Sequence, residues 1–586
     1  ETHAESEAGI NLGIETAVFK NLGVYHTAAE NFDLVNIGGV VGCVYGTEVS
    51  ATTADVDVTI SVAGPDGNAM YKPCIGGVVG YACALGEALP VISKNVSNGD
   101  IVWDDASTNT KVTPYIGGVA GYVAAGSFSD NVNGGALEVR EPMFDLDWGG
   151  VVGASAVSVV RCENKGSMAI NEQVTTANIG GVLGKLETGN STQNAIIDCV
   201  NSGQVLLNDN FKIVTSANIG GVVAVTEKGT AAISECHNSG AITYLGECST
   251  YAPTAEEGNT VLRMGGVVGC SWSAKIDNCS NKKTGVMDVR GKVSVNSPDY
   301  VSSEEMTGIG GVVGVSLGNK SKLGVAEEVV LENCQNEGNV NLVYDYCGKG
   351  IAASSACIGF FDSDKAIRCN NAGTMNAEIS IALTGSQPTP TTGQVSMYLA
   401  GVLGFINSDS TIEQCENSGS IIFDNATLRS IYLSAVTSYV AGNVHMKSCK
   451  NSGDMIVGSK VNSWFVVAGG IAASTKYALN VSYEECSNSG NIEVKAAANM
   501  NASMSSVFVG GIFGESNRGV SRTGLSNTGS IVFSGETYTL CMGGYVGDYK
   551  DPNNNVSFIN TESGIVNFTG RAHTEACVGG FAGKAA

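Results

Sequence analysis

Carboxylates are the side chains of this chain best suited to chemistry. The 586 residues include 56 acidic and 32 basic ones, and the net charge is −24. Cleavage of polysaccharides needs two placed carboxylates, or calcium with a basic residue. Candidate clusters are Asp104/Asp105, Glu304/Glu305 and Asp362/Asp364. Adjacent carboxylates on a strand point to opposite faces, and those in a loop are solvated. The sequence therefore predicts no catalytic residue and a non-enzymatic protein, with a carbohydrate-active β-helix enzyme, a polysaccharide lyase or glycoside hydrolase, as the alternative.

One segment has the ligand spacing of a calcium loop. Asp551, Asn553, Asn555 and Glu562 occupy positions 1, 3, 5 and 12 of such a loop. Position 6, where the loop requires Gly, is Val556, and Glu562 also takes the Asn place of a degenerate repeat box. The 18 Cys and five His show no zinc spacing. We expect no cofactor and no metal, with this loop as the one candidate metal site.

Aromatic residues outside the repeated apolar positions are the candidate ligand platform. These are Trp272, Tyr300, Tyr344 and Tyr346, whereas Trp103 and Trp148 take core positions. The excess of negative charge argues against a nucleic-acid partner, since phosphate binding needs a basic face. The sequence contains no run of about 18 apolar residues, so we expect no transmembrane segment.

Two alternating boxes define the elements that position these residues. A hydrophobic-Gly-Gly box, such as Ile179–Gly184 (IGGVLG), occurs 15 times with a mean spacing of about 39 residues. A C-x-N-x-G box alternates with it, and apolar residues follow its Gly at +2 and +4. That period of two predicts a strand with one buried face, and we expect Asn and Gly to form a left-handed turn before it.

Three short strands per repeat predict an all-β fold, an elongated parallel β-helix or β-solenoid of about 15 coils; tandem β-propellers are the alternative. Residues 1–17 would form an N-terminal extension or cap, and 18–586 a single array, which we expect either to continue beyond the C-terminus or to be covered there by another subunit. The box Asn would form an amide ladder, and the box cysteines would stack about 4.8 Å apart, mostly as thiols. These ladder residues are Cys162, Cys199, Cys236, Cys279, Cys334, Cys369, Cys415, Cys449 and Cys486.

The alternation of I-G-G-hydrophobic-hydrophobic-G with N/D-C-x-N-x-G-x-I resembles the GLUG-type repeat of bacterial surface proteins over roughly residues 18–583. The resemblance implies a secreted or surface-anchored, adhesin-like protein, and no enzyme. Its partners would be a host or microbial surface glycan or protein, bound on long inserts at 244–263, 286–308, 315–331 and 376–398. We also expect a partner subunit or a further domain to cover the C-terminal coil.

Overall fold

The computed structural model describes residues 17–26, 35–60, 72–104, 112–187, 194–227, 229, 231–248, 260–296, 306–318, 328–381, 395–475, 480–496, 505–516, 520–549, 556–560 and 564–585. They fall into two compact units. The first consists of 1–250, 266–275 and 279–286, and the second of 251–265, 276–278 and 287–586. Each unit is all-β, and its strands pair in parallel from coil to coil, so the predicted parallel β-solenoid is confirmed.

A coil contains five strand segments rather than the three predicted. In one coil they are Met143–Gly149, Val152–Ser155, Val159–Val160, Glu163–Asn164 and Met168–Ile170. We call them the Gly-Gly, second-sheet, pre-turn, turn and post-turn strands. One extra strand arises because the double-Gly box is the end of one strand and the start of the next, and the other is the turn strand, which the sequence suggested was a turn only.

The Gly-Gly strands are Asn36–Gly38, Cys74–Gly76, Tyr115–Gly117, Met143–Gly149, Gln173–Gly180, Lys212–Gly220, Val261–Gly265, Thr307–Gly310, Val395–Ala400, Ser506–Gly510, Glu536–Gly543 and Arg571–Gly579. Three longer strands join a post-turn to a Gly-Gly segment: Val340–Ser355, Ile421–Ser434 and Met455–Gly469. The remaining post-turn strands are Thr52–Ile60, Ile101–Trp103, Leu137–Val139, Met168–Ile170, Val205–Leu207, Ile242–Tyr244, Met287–Val289, Met375–Ile381, Ile492–Val494, Ile531–Phe533 and Val566–Phe568.

The second-sheet strands of the first unit are Val41–Tyr45, Val79–Cys83, Ala120–Val123, Val152–Ser155, Leu183–Leu186, Val223–Thr226 and Val268–Trp272. Those of the second unit are Val313–Leu317, Ile358–Asp362, Leu403–Ile406, Thr437–Val440, Ala472–Ser474, Phe513–Ser516, Val546–Tyr549 and Ala582–Ala585.

The pre-turn strands are Glu48–Ser50, Val91–Ser93, Ser127–Ser129, Val159–Val160, Asn194–Ile197, Ala231–Ser234, Ala274–Asp277, Val330–Glu332, Lys365–Ile367, Ser410–Glu413, Val444–Lys447, Val481–Glu484, Val520–Asn527 and Val556–Asn560. The turn strands are Val96–Ser97, Val132–Asn133, Glu163–Asn164, Val200–Asn201, His237–Asn238, Ser280–Asn281, Gln335–Asn336, Asn370–Asn371, Glu416–Asn417, Lys450–Asn451 and Ser487–Asn488. Three further strands are Ala17–His26, Glu247–Cys248 and Lys292–Asn296.

The two sequence boxes meet inside each coil. A Cβ on Gly149, the first Gly of one box, would overlap the Val152 carbonyl oxygen, which lies across the bend between the two strands. A Cβ on the second, Gly150, would overlap the side-chain amide of Asn164 in the following turn strand. The Gly pair therefore makes room for the bend and for the Asn, which explains why the boxes occur together.

The turn Asn side chains form the predicted amide ladder. Asn164 Nδ2 donates to Asn201 Oδ1 in the next coil at 2.8 Å and to the carbonyl of its own turn residue Gly166 at 3.0 Å. The same intercoil bond, 2.6–2.9 Å long, joins Asn133 through Asn281 in the first unit and Asn336 through Asn527 in the second. Every amide donates toward the C-terminal neighbour, so the ladder has one direction.

The sequence suggested that the Asn or the Gly of the turn box has a left-handed backbone, but neither does. The left-handed residue is the one immediately before the Cys position, with φ between 50° and 58°: Ala51, Lys94, Asp130, Arg161, Asp198, Glu235, Asn278, Asn333, Arg368, Gln414, Ser448 and Glu485. Gly524 takes this place in one coil, with φ 65°. The turn Gly is required for a different reason, because a Cβ on Gly203 would overlap the carbonyl oxygen of Gly166 in the preceding coil.

One degenerate turn box differs from its predicted register, and the structure locates a second that the sequence did not show. Asn560 pairs with Asn527, so Asn560, not Glu562, holds the ladder Asn place. No turn box is evident in the sequence of the interval after the first Gly-Gly box. There Thr52 lies in the Cys place, and the strand pairing puts Ala54 opposite Ser97, in the ladder Asn place. The last described coil exposes apolar side chains, with Ile565 58% and Val578 43% exposed. That another subunit or domain covers them stays a prediction.

Candidate functional site

The predicted aromatic platform does not assemble. Tyr344 is buried, with 3% of its surface exposed, because its strand continues past the +4 position and keeps alternating inward. Its hydroxyl lies 3.9 Å from Met397 Sδ in the core, so the prediction that it is exposed is wrong. Trp272 is half-buried at the end of its second-sheet strand. Tyr300 and the side chain of Tyr346 lie outside the described residues.

The candidate calcium ligands Asp551, Asn553, Asn555 and Glu562 also lie outside the described residues. Within the part of the chain that the structure describes, no group of three or more His, Cys, Asp or Glu side chains is arranged to hold a metal ion. No helix of that part is long and apolar enough to cross a membrane.

The nine ladder cysteines lie in the interior of the two units, and all are free thiols in this structure. Their Sγ atoms lie beside backbone carbonyls; Cys199 Sγ is 3.5 Å from both the Val159 and the Ile197 oxygen. Burial raises the pKa of Cys162 and of Cys236 well above the ordinary value. Thiols in such surroundings are poor nucleophiles, and their role here is packing.

The best candidate site lies where the chain bends at the Gly-Gly boxes of the first unit. The residue before each box and the residue after it, seven positions later, face each other across the bend. Asn36 Nδ2 lies 3.0 Å from Cys43 Sγ, and the rings of Tyr115 and Tyr122 stack at 5.0 Å. In successive coils these positions form two columns, which we call the corner groove: Asn36, Cys74, Tyr115, Asp147, Asn178 and Asn218 in one, and Cys43, Tyr81, Tyr122, Ala154, Lys185 and Val225 in the other.

Three half-buried tyrosines form the aromatic part of the groove. Tyr81 and Tyr122 occupy the same place in adjacent coils, with ring centroids 5.7 Å apart, and Tyr115 stacks on Tyr122. The Tyr122 hydroxyl donates to Glu187 Oε2 at 2.7 Å. Since Glu187 lies two coils away, the ring spans the coil that carries the small residue Ala154. The rings thus lie beside a polar network rather than inside the core.

That network connects acidic, basic and amide groups. Asp147 Oδ1 accepts from Asn178 Nδ2 at 2.6 Å, and Asn178 Oδ1 accepts from Asn218 Nδ2 at 2.7 Å. Lys185 Nζ lies 2.7 Å from Glu227 Oε1 and 3.6 Å from Glu187 Oε1. The Lys185 and Glu187 side chains are each about a quarter exposed, so the network is reachable from solvent.

The pKa values of three groove residues differ from the ordinary values of their side chains. Burial raises the pKa of Asp147 to about 6, against the opposing hydrogen bond from Asn178. Burial, with Asp147 nearby, raises the pKa of Tyr115 to about 12. Burial opposes the charge on Lys185, but the hydrogen bond to Glu227 and the charge of Asp147 hold its pKa above the ordinary value. At neutral pH the tyrosines are donors and Lys185 is charged.

These residues escaped the sequence analysis because their types change from coil to coil. The available signal is positional: Tyr81 and Tyr122 both directly follow the last Gly of a Gly-Gly box, and Tyr115 and Asp147 directly precede a box. Reading each place of the repeat down successive coils, instead of along the chain, would have found them.

In two coils of the second unit the same two columns are filled by aromatic packing. Tyr398 and Tyr432 stack at 5.0 Å, Phe405 and Tyr439 stack at 5.2 Å, and the two pairs meet edge to face. Tyr398, Phe405 and Tyr439 are each only 6% exposed. This part of the fold is a packed core extension, whereas the first unit keeps an accessible groove. No protein-family model, curated protein or solved structure matches the chain.

Proposed function

We propose that the protein is a non-enzymatic, secreted or surface-located β-solenoid, and that it binds a glycan in the corner groove of its first unit. The observation that carries this is the row of half-buried tyrosines, Tyr81, Tyr115 and Tyr122, beside the Asp147–Lys185–Glu187 network. Phenols supply apolar ring surface and a hydroxyl at once, and carboxylate, ammonium and amide groups bond to sugar hydroxyls.

The solenoid suits this role because it fixes the side chains of each column. Parallel pairing places Tyr81, Tyr122 and Ala154 directly above one another, and backbone hydrogen bonds on both sides hold each strand. A site built on such strands is ordered before ligand arrives, which lowers the entropy cost of binding. An extended ligand that lies along the column would contact several coils.

Glycan binding is tested with a glycan array and with titration of any hit. The double variant Tyr115→Ala/Tyr122→Ala is expected to weaken binding at least about 10-fold, since it removes stacking surface and the bond to Glu187. Tyr432→Ala is the matched control: Tyr432 occupies the Tyr115 place in the second unit, where its ring stacks on Tyr398 and meets Tyr439 edge to face. Equal loss in both variants, or no glycan bound at all, would contradict the proposal.

A carbohydrate-active enzyme is the second candidate, and one observation favours it. A general acid needs a raised pKa and a second carboxylate nearby; burial raises the pKa of Asp147 to about 6, and Glu187 lies in its electrostatic surroundings. Release of reducing ends or unsaturated products from a polysaccharide panel, lost in Asp147→Asn, would establish this function in place of simple binding.

A further inference from the structure

We propose that the corner groove binds glycans linked to an alkyl aglycone, as in a glycolipid, and that Tyr45, Leu85 and Leu89 contact the alkyl chain. We call these three residues the apolar patch. The inference deepens the proposed function and rests on it, because the sugar must occupy the groove for the alkyl chain to reach the patch. The ligand class is thus an amphiphilic glycan, as distinct from a free oligosaccharide.

Large apolar side chains are exposed together at one place of the first unit. Among the described residues of that unit four such side chains are exposed, and three of them are Tyr45, Leu85 and Leu89, at 48%, 44% and 59%. The fourth, Ile197, lies on a pre-turn strand and is 37% exposed. Single exposed apolar residues are ordinary, whereas a cluster of them is typical of a binding surface.

Two of the patch side chains belong to an insert at one corner of the coil. The connection between the second-sheet and pre-turn strands consists of residues 46–47 in one coil and 124–126 in another, but of residues 84–90 in the coil between them. Leu85 and Ala88 exchange two backbone hydrogen bonds, 2.9 and 3.0 Å long, which close a tight turn at the tip of the insert. A defined turn therefore holds both leucines at the surface.

The third patch residue, Tyr45, lies beside this insert in the preceding coil. A Cβ on Gly46, the next residue, would lie 2.7 Å from the Ala88 Cβ and 3.0 Å from the Leu85 Cβ. The Gly46 amide also donates to the Cys83 carbonyl at 3.0 Å. Two adjacent coils thus form the patch, and close backbone contacts fix its position.

The apolar patch is continuous with the aromatic end of the corner groove. In the pairing of strands Val41–Tyr45 and Val79–Cys83, Cys43 lies opposite Tyr81, and Tyr45 lies opposite Cys83. Cys43 and Tyr81 are groove residues, and the other two lie two positions further along the same strands, so all four share one face. Both Tyr45 and Cys83 act electrostatically on the Tyr81 hydroxyl, which places them beside it. A ligand that contacts Tyr81 can therefore extend over the patch.

The charges around the patch favour an uncharged aglycone. The only charged residues of the segments 45–48 and 84–90 are Glu48 and Glu87, and both are exposed. Their carboxylates repel phosphate and carboxylate groups, so an anionic lipid fits this surface poorly. An alkyl chain instead gains affinity from apolar area removed from water, and burial of about two methylene groups gives about a 10-fold gain.

The experiment compares the methyl and octyl glycosides of the glycan that binds most tightly on the array. Titration calorimetry uses the full chain, below the concentration at which the octyl glycoside forms micelles. We expect the octyl glycoside to bind about 10-fold more tightly than the methyl glycoside. Leu85→Ser/Leu89→Ser, at the exposed tip of the insert, should remove this difference and leave the affinity for the methyl glycoside unchanged. Ile197→Ser, the exposed apolar residue outside the patch, is the matched control and should change neither affinity.

Four outcomes would contradict these expectations. Equal affinities of the two glycosides, or an octyl preference that persists in Leu85→Ser/Leu89→Ser, overturn the inference and leave glycan binding intact. Octyl glycoside binding of undiminished affinity in Tyr115→Ala/Tyr122→Ala also overturns it, because the sugar and the alkyl chain would then not share one site. Self-association in sedimentation that is lost in Leu85→Ser/Leu89→Ser would assign the patch to a second copy of this chain instead. If no glycan of the array binds, the proposed function itself is refuted.

Discussion

The head of the first amide ladder gives a test of how the coils are held together. In the preceding coil the ladder place is Ser97, whose hydroxyl is too short to continue the row of amides. Ser97 Oγ and Asn133 Oδ1 are both buried without a hydrogen-bond partner. We predict that Ser97→Asn extends the ladder by one rung and stabilises this part of the first unit. Gly77 lies against Ser97 as Gly118 lies against Asn133, so the bend already has room for an amide.

The magnitude follows from the bonds gained. The new Nδ2 would donate to the Gly99 carbonyl, worth about 1 kcal/mol, and to Asn133 Oδ1, worth about 1–3 kcal/mol because that acceptor is buried and unpaired. The new Oδ1 takes over the unpaired position of the Ser97 hydroxyl, and ordering the longer side chain costs about 1 kcal/mol. The net gain is about 2 kcal/mol, which is about a 30-fold slower local opening.

Hydrogen exchange measured by mass spectrometry reads this opening. The reporting amides are Asn98, which donates to Ala54, and Gly134, which donates to Ser97. Ser97→Ala removes the unpaired hydroxyl without adding a donor, and Ser97→Asp has the shape of Asn but places a carboxylate against Asn133 Oδ1. We expect slower exchange only in Ser97→Asn and faster exchange in Ser97→Asp. Exchange in Ser97→Asn that is no slower than in Ser97→Ala would refute the ladder argument.

Three further predictions concern the turns and thiols. Asn417→Ala removes the hydrogen bonds that Asn417 donates to Gly419 and Asn451 and the one it accepts from Asn371. The local unfolding free energy should fall by about 3 kcal/mol, so chemical labelling of Cys415 in the native state should be about 100-fold faster. The control Asn376→Ala, which loses one partly exposed hydrogen bond, should change the labelling rate little. Gln414→Gly relieves the strain of a left-handed backbone and should raise the local unfolding free energy by about 1 kcal/mol. Gly524→Ala introduces that strain, although its Cβ would lie 3.5 Å from the nearest atom, and should lower the local unfolding free energy by about 1 kcal/mol. Denaturant-dependent hydrogen exchange should become slower in the first variant and faster in the second. Burial raises the pKa of Cys74 and Cys541 to about 12, so alkylation of these thiols at pH 8 should require unfolding. Thiol titration of the unfolded, unreduced chain should detect nearly all 18 cysteines as free thiols. Detection of almost no free thiol would contradict the reduced state.

The repeat itself could be predicted because it depends on residue types that recur. The period of two after Gly203 predicts which face of the post-turn strand is buried. The recurrence of Asn201 and Asn238 at the same place of the repeat predicts the amide ladder. The left-handed residue could not be found this way, since Ala51, Lys94 and Asp130, which all occupy its place, share no chemistry. Their backbone conformation is imposed by the turn around them, not by their own preference.

The candidate site was missed for a related reason. Tyr344 was a candidate because it lies outside the repeated +2 and +4 apolar positions. The period of two continues to +6 in this coil, however, and buries Tyr344 in the core. The groove depends on residues that share a column but not a type, such as Tyr122, Ala154 and Lys185. The proposed site depends on contacts between coils, which a single repeat does not contain.

Because the columns are in register, the length of the groove is set by the number of coils that contribute to it. Tyr81 and Tyr122 occupy the same place of successive coils, so each of these two coils contributes one tyrosine to this column. Duplication or deletion of a whole coil would lengthen or shorten the groove in steps of about 4.8 Å while both sheets stay paired. Under the proposed function, the number of sugar residues bound at once, and with it the avidity, would change with the number of coils.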